Sequence, residues 1–287
     1  MRTGTDVILV MGATGKQGGA LARELLARGH KVRALTRKPQ AEAAQALATL
    51  GATIVQADFD DPASMERALE GVWGVFAVQN TWEAGVEREE AQGKRIAQLA
   101  KKAGLQHFVY TSVSSAQHNT GIPHFDNKWR IEETVCSLGF PSYTIIRPAF
   151  FMENFLLPSF KAGFEEGQLL IGIKPDTVLQ MIAVKDIGKY HLLAFERHEE
   201  LNGRAVDIAG DAHTMVETAR ILGRAMAKTI THVQVPIEEV RKWSEDYGIM
   251  LEWFDRVGYS VDIPTLEKTH GIRPTKLEEW ATAVRWR

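Results

Sequence analysis

The first half of the chain alternates short apolar runs with longer amphipathic stretches. Val7–Met11, Lys31–Thr36, Thr53–Ala57, Gly74–Val78, His107–Thr111 and Tyr143–Ile146 each hold an apolar run, interrupted by polar residues in Lys31–Thr36 and Thr53–Ala57. Runs of this kind read as strands buried on both faces rather than on one. Alanine-rich or amphipathic stretches near 40–50, 62–70, 86–103 and 125–138 separate them and predict helices, as does the stretch running towards Arg28. Strands alternating with helices predict an α/β class chain with a doubly wound parallel sheet covered on both faces. The punctuation agrees. Asp61-Pro62 suits a helix start, while Gly51, Gly104 and Gly139 each follow a helical pattern as C-terminal stops. Asp186 is expected to cap the helix after it, and Glu87–Glu90 and Glu238-Glu239 to be solvated helical faces.

After Pro148 the rhythm changes. Phe150, Phe151, Phe155, Leu156, Leu157, Phe160 and Phe164 crowd one segment, and Trp243, Trp253, Phe254 and Tyr259 come later among helical patterns. The pattern places a nucleotide-binding domain at 1–150, with a return contribution near 178–208. A smaller substrate or partner region, itself α/β, is expected from 151–177 and 209–287. Such a region would pack over the carboxyl ends of the strands, where doubly wound sheets take ligands.

Composition narrows the function classes. The 287 residues carry 34 basic and 36 acidic side chains, a net charge of −2, so no general electrostatic case exists for nucleic acid or anionic lipid. Cys136 is the only cysteine, which excludes an intrachain disulfide and a cysteine-based zinc cluster. No histidines fall at metal-ligand spacing, so no metal is expected. No run reaches membrane length and no leader pattern stands at the start, so the expected compartment is the cytoplasm.

The chemistry begins at Gly12-Ala-Thr-Gly15-Lys-Gln-Gly18, between the first strand and its helix. Glycines let the backbone turn sharply and approach a pyrophosphate, and the helix N-terminus favours its charge. A dinucleotide site follows. An NAD-preferring site usually places Asp or Glu at the end of the second strand, to bond the ribose 2′-hydroxyl. This chain has Thr36-Arg37-Lys38 there, a hydroxyl and two cations suited to a 2′-phosphate. The expected cofactor is NADP(H).

Reductases of this architecture often carry Tyr-x-x-x-Lys on the helix after the fifth strand, the tyrosine moving a proton and the lysine tuning it. Here the segment is His124-Phe-Asp-Asn-Lys128, with histidine in the tyrosine's place. His124 and Lys128 are therefore the catalytic candidates, one helical turn apart. Tyr110 is expected to pack into a layer, and one of Ser112, Ser114 and Ser115 could bond a carbonyl oxygen.

Taken in order, Gly12–Gly19, Leu35–Pro39, Gln56–Asp61, His124–Lys128 and Arg147–Asn154 resemble the NmrA-like family of atypical short-chain dehydrogenase/reductases. Within it the chain is most similar to NADPH-sensing members, which carry a similar His-Phe-Asp-x-Lys segment. The resemblance runs to Leu277–Trp280 and implies a Rossmann-type nucleotide fold. It assigns Gly12, Thr14, Gly15, Gln17 and Gly18 to the pyrophosphate, Arg37 and Lys38 to the 2′-phosphate, and Asp58 and Phe59 to the adenine edge. Val78 and Asn80 would lie near the cofactor's centre, and Thr111, Lys128, Pro148 and Phe151 near the nicotinamide. Trp82, Phe150 and Phe155 are expected on the substrate side. Two functions remain open at this point. One is an NADPH-dependent reductase of a small apolar carbonyl, quinone or conjugated acceptor. The other is a non-catalytic NADP(H) sensor that regulates a protein partner.

Overall fold

The structure, a computed structural model, describes residues 6–286. Its elements run β1 (Val7–Val10), α1 (Lys16–Ala27), β2 (Lys31–Thr36), α2 (Glu42–Thr49), β3 (Thr53–Gln56), α3 (Pro62–Leu69), β4 (Gly74–Ala77), α4 (Thr81–Ala84), α5 (Val86–Lys102) and β5 (His107–Thr111). Then come α6 (Pro123–Ser137), β6 (Ser142–Pro148), β7 (Phe150–Phe151), α7 (Pro158–Glu165), β8 (Gln168–Ile171), β9 (Val178–Ile182), α8 (Val184–Glu196) and β10 (Arg204–Ile208). The chain continues through β11 (Asp211–Thr214), α9 (Met215–Met226), β12 (Thr231–Gln234), α10 (Ile237–Arg241), α11 (Glu245–Arg256), α12 (Ile263–His270) and α13 (Leu277–Ala283). Among the described residues no helix is long and apolar enough to cross a membrane.

Two compact units divide the chain. The first comprises residues up to Ala116, His124–Arg147 and Ile187–Val206; the second comprises Gln117–Pro123, Pro148–Asp186 and Asp207 onwards. Strand 178–182 thus belongs to the second unit, and the segment returning to the first is 187–206.

The first unit is built on a seven-stranded sheet of order β10-β6-β5-β4-β1-β2-β3, within which β1 to β6 pair in parallel. All six apolar runs became strands. One face of the sheet carries Leu9, Met11, Val75, Ala77, Phe108 and Tyr110. Met65 and Leu69 of α3, Ile96 and Ala100 of α5, and Ile131 and Val135 of α6 complete that core. The helix signals work as their chemistry dictates. Asp61 accepts hydrogen bonds from the Ala63 and Ser64 amides at 3.1 and 3.2 Å, with Pro62 in the first turn. Gly51, Gly104 and Gly139 take the left-handed backbone that ends a helix.

The second unit holds a three-stranded sheet, β11-β9-β7, and a two-stranded parallel pair, β12-β8. Phe150, Phe155 and Phe160 form a chain of ring contacts with centroids 5.6 and 5.4 Å apart, and Trp280 lies 6.5 Å from Phe155. One expectation fails here. Asp186 does not cap α8, which begins two residues earlier; its buried carboxylate accepts the Thr275 amide at 2.7 Å. Glu238 and Glu239 stand exposed in the first turn of α10, as expected of a solvated face.

Candidate functional site

At the carboxyl end of β1 the chain makes a turn that only small residues allow. Gly12 has φ +57°, and its carbonyl accepts the Gly15 amide at 2.8 Å. A Cβ on Gly18 would sit 2.4 Å from the Gly12 oxygen and 2.6 Å from the Met11 oxygen. The helix therefore comes against the loop at a distance that no side chain permits. Gly15 caps α1 without any side-chain hydrogen bond, and the first turn contains no acid. Its leading amides and partial positive charge are consequently left to an anion.

Several residues singled out by sequence meet around this loop. Val78 Cγ1 lies 2.9 Å from where a Gly12 Cβ would be. The Thr111 hydroxyl donates to Gln17 Oε1 at 2.7 Å, tying β5 to the start of α1. Thr14 and Gly15 are exposed. Thr36 is buried at the end of β2, and its hydroxyl accepts the Lys38 amide at 3.1 Å, so its work is to shape the turn that presents Arg37 and Lys38. Asp58 accepts the Asp60 amide at 2.9 Å, and the Phe59 carbonyl is held by Arg95 at 3.1 Å. Asn80 caps the one-turn helix α4 through the Trp82 amide, at 3.1 Å.

The catalytic candidates stand on α6. His124 is buried in its first turn, with its ring 5.2 Å from Trp82, a side chain 62% exposed. One turn on, Lys128 is paired with Glu89 of α5. Glu89 is fully buried and takes further hydrogen bonds from the Thr81 hydroxyl and from Asn127 Nδ2, the latter at 2.9 Å. Burial opposes its ionisation. The adjacent Lys128 ammonium and the hydrogen bonds from Lys128, Thr81 and Asn127 outweigh burial and hold the carboxyl below the usual carboxylate range. Glu89 was expected on a solvated face, and the structure reverses that reading. Its position is three, four and seven residues before Gln92, Gly93 and Ile96, all buried. The helical period that marks the inner stripe of α5 thus included a carboxylate. The two helices touch closely beside the pair: a Cβ on Gly93 would fall 2.5 Å from Ile131 Cδ1.

Other polar groups line the same strand ends. Gln79 is buried with neither amide atom partnered among the described residues, and the Ser112 hydroxyl is likewise buried and unpartnered. Orphaned buried groups are rare in native folds and concentrate where a ligand or chemistry supplies the partner. No sequence signal distinguished Gln79 from its neighbours. Ser115, three residues after Ser112, adopts the left-handed φ of +68°. Tyr110 is fully buried in the sheet core; burial, then the nearby charges of Glu89 and Glu132, push its phenol well above its ordinary range. It packs, as expected, and is a poor proton donor.

Of the candidates in the second unit, Pro148 ends β6 and is buried. Phe150 and Phe151 pair with Met181 and Ile182 in the three-stranded sheet, Phe151 only half-buried. Phe155, expected against substrate, has no exposed surface and fills the core between Phe150 and Phe160. A ring with no accessible face packs rather than binds.

Solved structures share this architecture. NmrA, a negative transcriptional regulator, in complex with NADP aligns with a TM-score of 0.80 at 23% identity, over 98% of this chain and 96% of that one. The Escherichia coli NADPH-dependent quinone oxidoreductase complexed with NADPH aligns with a TM-score of 0.80 at 25% identity, over 96% and 98%. An NmrA-like family domain-containing oxidoreductase of Malbranchea aurantiaca is 34% identical over 209 residues, 65% of this chain but 62% of that protein. The chain therefore spans about three-fifths of that relative's length. The glycine loop, the parallel sheet and a family match over residues 4–286 lead to one assignment: this chain belongs to the NmrA-like family.

Proposed function

We propose that the chain is an NADP(H)-dependent reductase of a small apolar carbonyl, quinone or conjugated acceptor. The observation that carries the proposal is the Glu89–Lys128 pair, in which a fully buried carboxylate, also bonded by Thr81 beyond the end of β4, fixes a lysine. Burying a charge beside a cation gains little stability over apolar packing, so its retention suits a positioning task.

The residues present fit the dinucleotide. The Gly12–Gly18 cradle has no room for a Cβ at its closest approach, the N-terminus of α1 is uncapped, and Gln79 and Ser112 offer unpartnered polar atoms nearby in sequence to Val78 and Thr111. In this reading Gly12, Thr14, Gly15, Gln17 and Gly18 hold the pyrophosphate, Arg37 and Lys38 the 2′-phosphate, and Lys128 the nicotinamide ribose. A bound nicotinamide supplies the hydride. Lys128, kept in place by Glu89, orients the acceptor's oxygen and favours negative charge developing there. His124 stands one turn away, its ring beside the exposed Trp82, and is the side chain placed to pass a proton to the acceptor. The relatives named as oxidoreductases, and the quinone oxidoreductase neighbour, support the reaction class.

A second reading has one observation in its favour: the position one turn before Lys128 holds a histidine, not the tyrosine of ordinary reductases. A sensor needs the nucleotide but no proton donor, and the NmrA neighbour is described as a negative transcriptional regulator. Titration with NADPH and NADH, then oxidation of NADPH against quinones, aldehydes and enones, separates the two. Turnover that collapses in Lys128→Ala establishes the reductase. Tight binding without oxidation above background across the panel establishes the sensor.

A further inference from the structure

The one-turn helix α4 reaches three parts of the site at once. Thr81 bonds Glu89, Trp82 lies against His124, and Glu83 forms an ion pair with Arg37. Asn80 caps the turn at one end and Gly85, with φ +83°, closes it at the other. Arg37 is the guanidinium that stands where a 2′-phosphate would be read, and in this structure its Nη2 hydrogen is given to the Glu83 carboxylate.

We infer that Glu83 is a specificity-determining residue, an internal competitor that holds Arg37 until a 2′-phosphate takes it. The inference rests on the NADP(H) reading above. Its physical basis is a matter of counting partners. A guanidinium binds a carboxylate or a phosphate with the same fork of N–H groups, and the two anions repel when brought to one cation. Both side chains of the pair are more than half exposed, 56% and 52%, so the tie is weak. A doubly charged phosphate can therefore displace the carboxylate. A nucleotide without the 2′-phosphate gives Arg37 no reason to leave Glu83. The pair thus sets back NADP(H) slightly and leaves NAD(H) unaffected. It also puts the turn carrying Trp82 and Thr81 under the control of the phosphate, since Glu83 follows them directly in sequence.

The test uses the full chain and equilibrium titration with NADPH and NADH in five forms: wild type, Glu83→Gln, Glu83→Lys, Arg37→Ala and the Arg37→Ala/Glu83→Gln double variant. Glu83→Gln is expected to tighten NADPH about two- to fivefold, the size of one exposed ion pair, and to leave NADH within experimental scatter. Glu83→Lys, which adds a cation, is expected to tighten NADPH further. The gain is expected to shrink as salt rises towards about 0.5 M, where exposed charges are screened. In the Arg37→Ala background the Glu83→Gln gain should vanish. If Arg37→Ala weakens NADPH while Glu83→Gln leaves it unchanged or weaker, the competitor is overturned and the NADP(H) reading stands. A gain that persists without Arg37 also overturns it, since Glu83 would then act by direct repulsion. A wild type that binds NADH as well as NADPH, with Arg37→Ala changing neither, overturns the inference and the NADP(H) reading together.

Discussion

The carboxylates of the two units meet different partners. In the first, Glu89 faces Lys128, and Glu132 takes two parallel bonds from Arg147, at 3.0 Å from Nε and 2.6 Å from Nη2. In the second, carboxylates take hydrogen bonds from backbone amides of distant segments beside their side-chain partners, which for Asp211 include His213 and Lys276. Asp186 accepts from Thr275, Asp211 from Leu277 at 2.8 Å, Asp255 from Lys174 at 2.9 Å, and Glu153 from Val184 at 2.9 Å. A side-chain cation fixes one side chain against another, which is what a site needs. An amide fixes the course of the chain, which is what a region with short, scattered strands needs. The same residue types thus tie side chain to side chain in one unit and side chain to backbone in the other.

The largest test of that contrast is Arg147→Met, which leaves Glu132 buried without its guanidinium. It is expected to cost about 3–5 kcal/mol in chemical denaturation, and the double variant with Glu132→Met to recover most of the loss. A loss near zero would mean that the pair does not hold α6 to β6. Next in size, Glu89→Gln keeps an acceptor for Thr81 and Asn127 but removes the countercharge of Lys128. A cost of about 1–3 kcal/mol is expected, with nicotinamide nucleotide affinity falling alongside stability. Stability lost with affinity intact would separate Glu89 from the site.

In the second unit, Asp211→Asn should loosen the segment at Leu277, read as faster hydrogen exchange there, by about 1–2 kcal/mol. The pH dependence of this tie has two limbs. A hydrogen bond to Asp211, opposed by burial, raises the His213 imidazole, which lies 2.9 Å away. Its contribution is complete below about pH 6.5 and fades as pH rises through the raised folded value. Burial of Asp211 is outweighed by the bonds from His213 and the Leu277 amide, so that its carboxyl is lowered. That contribution is present above about pH 4 and fades as pH falls through the lowered folded value. Protection at Leu277 should therefore be greatest between about pH 4 and 6.5, and His213→Gln should abolish only the alkaline limb. Smallest of all is Asp61→Ala. This carboxylate also accepts backbone amides, but in the first unit and exposed to solvent, and its loss should cost about 1 kcal/mol. A cost as large as that of Asp211→Asn would show that burial adds nothing to the amide bond.

The parallel sheet and glycine loop were legible because their signals are local. Strands buried on both faces read as continuous apolar runs, and a close backbone approach requires glycine. Glu89 was hidden for a different reason. The inner stripe of α5 is built from Gln92, Gly93, Ala97 and Ala100 as much as from Ile96, so hydropathy marks it faintly and a carboxylate on it looks like part of a wet face. Asp186 was misread because its partner amide is 89 residues away, a separation that no local pattern spans. Phe155 shows the limit of counting aromatics, since only packing decides whether a ring fills a core or meets a ligand. Helix α4, four residues long, is too short for periodicity to reveal at all.

Gly93 of α5 packs directly against Ile131 of α6, and it lies one turn along from Glu89 as Ile131 lies nearly one turn along from Lys128. The missing methyl group acts as a spacing gauge. It sets how far apart the helix bearing the acid and the helix bearing the base are allowed to stand. A Cβ placed there would press on the Ile131 side chain at 2.5 Å, so the strain of any substitution falls between the helix of Glu89 and the helix of Lys128. The close fit of the two helices is thus written in a position that has no side chain.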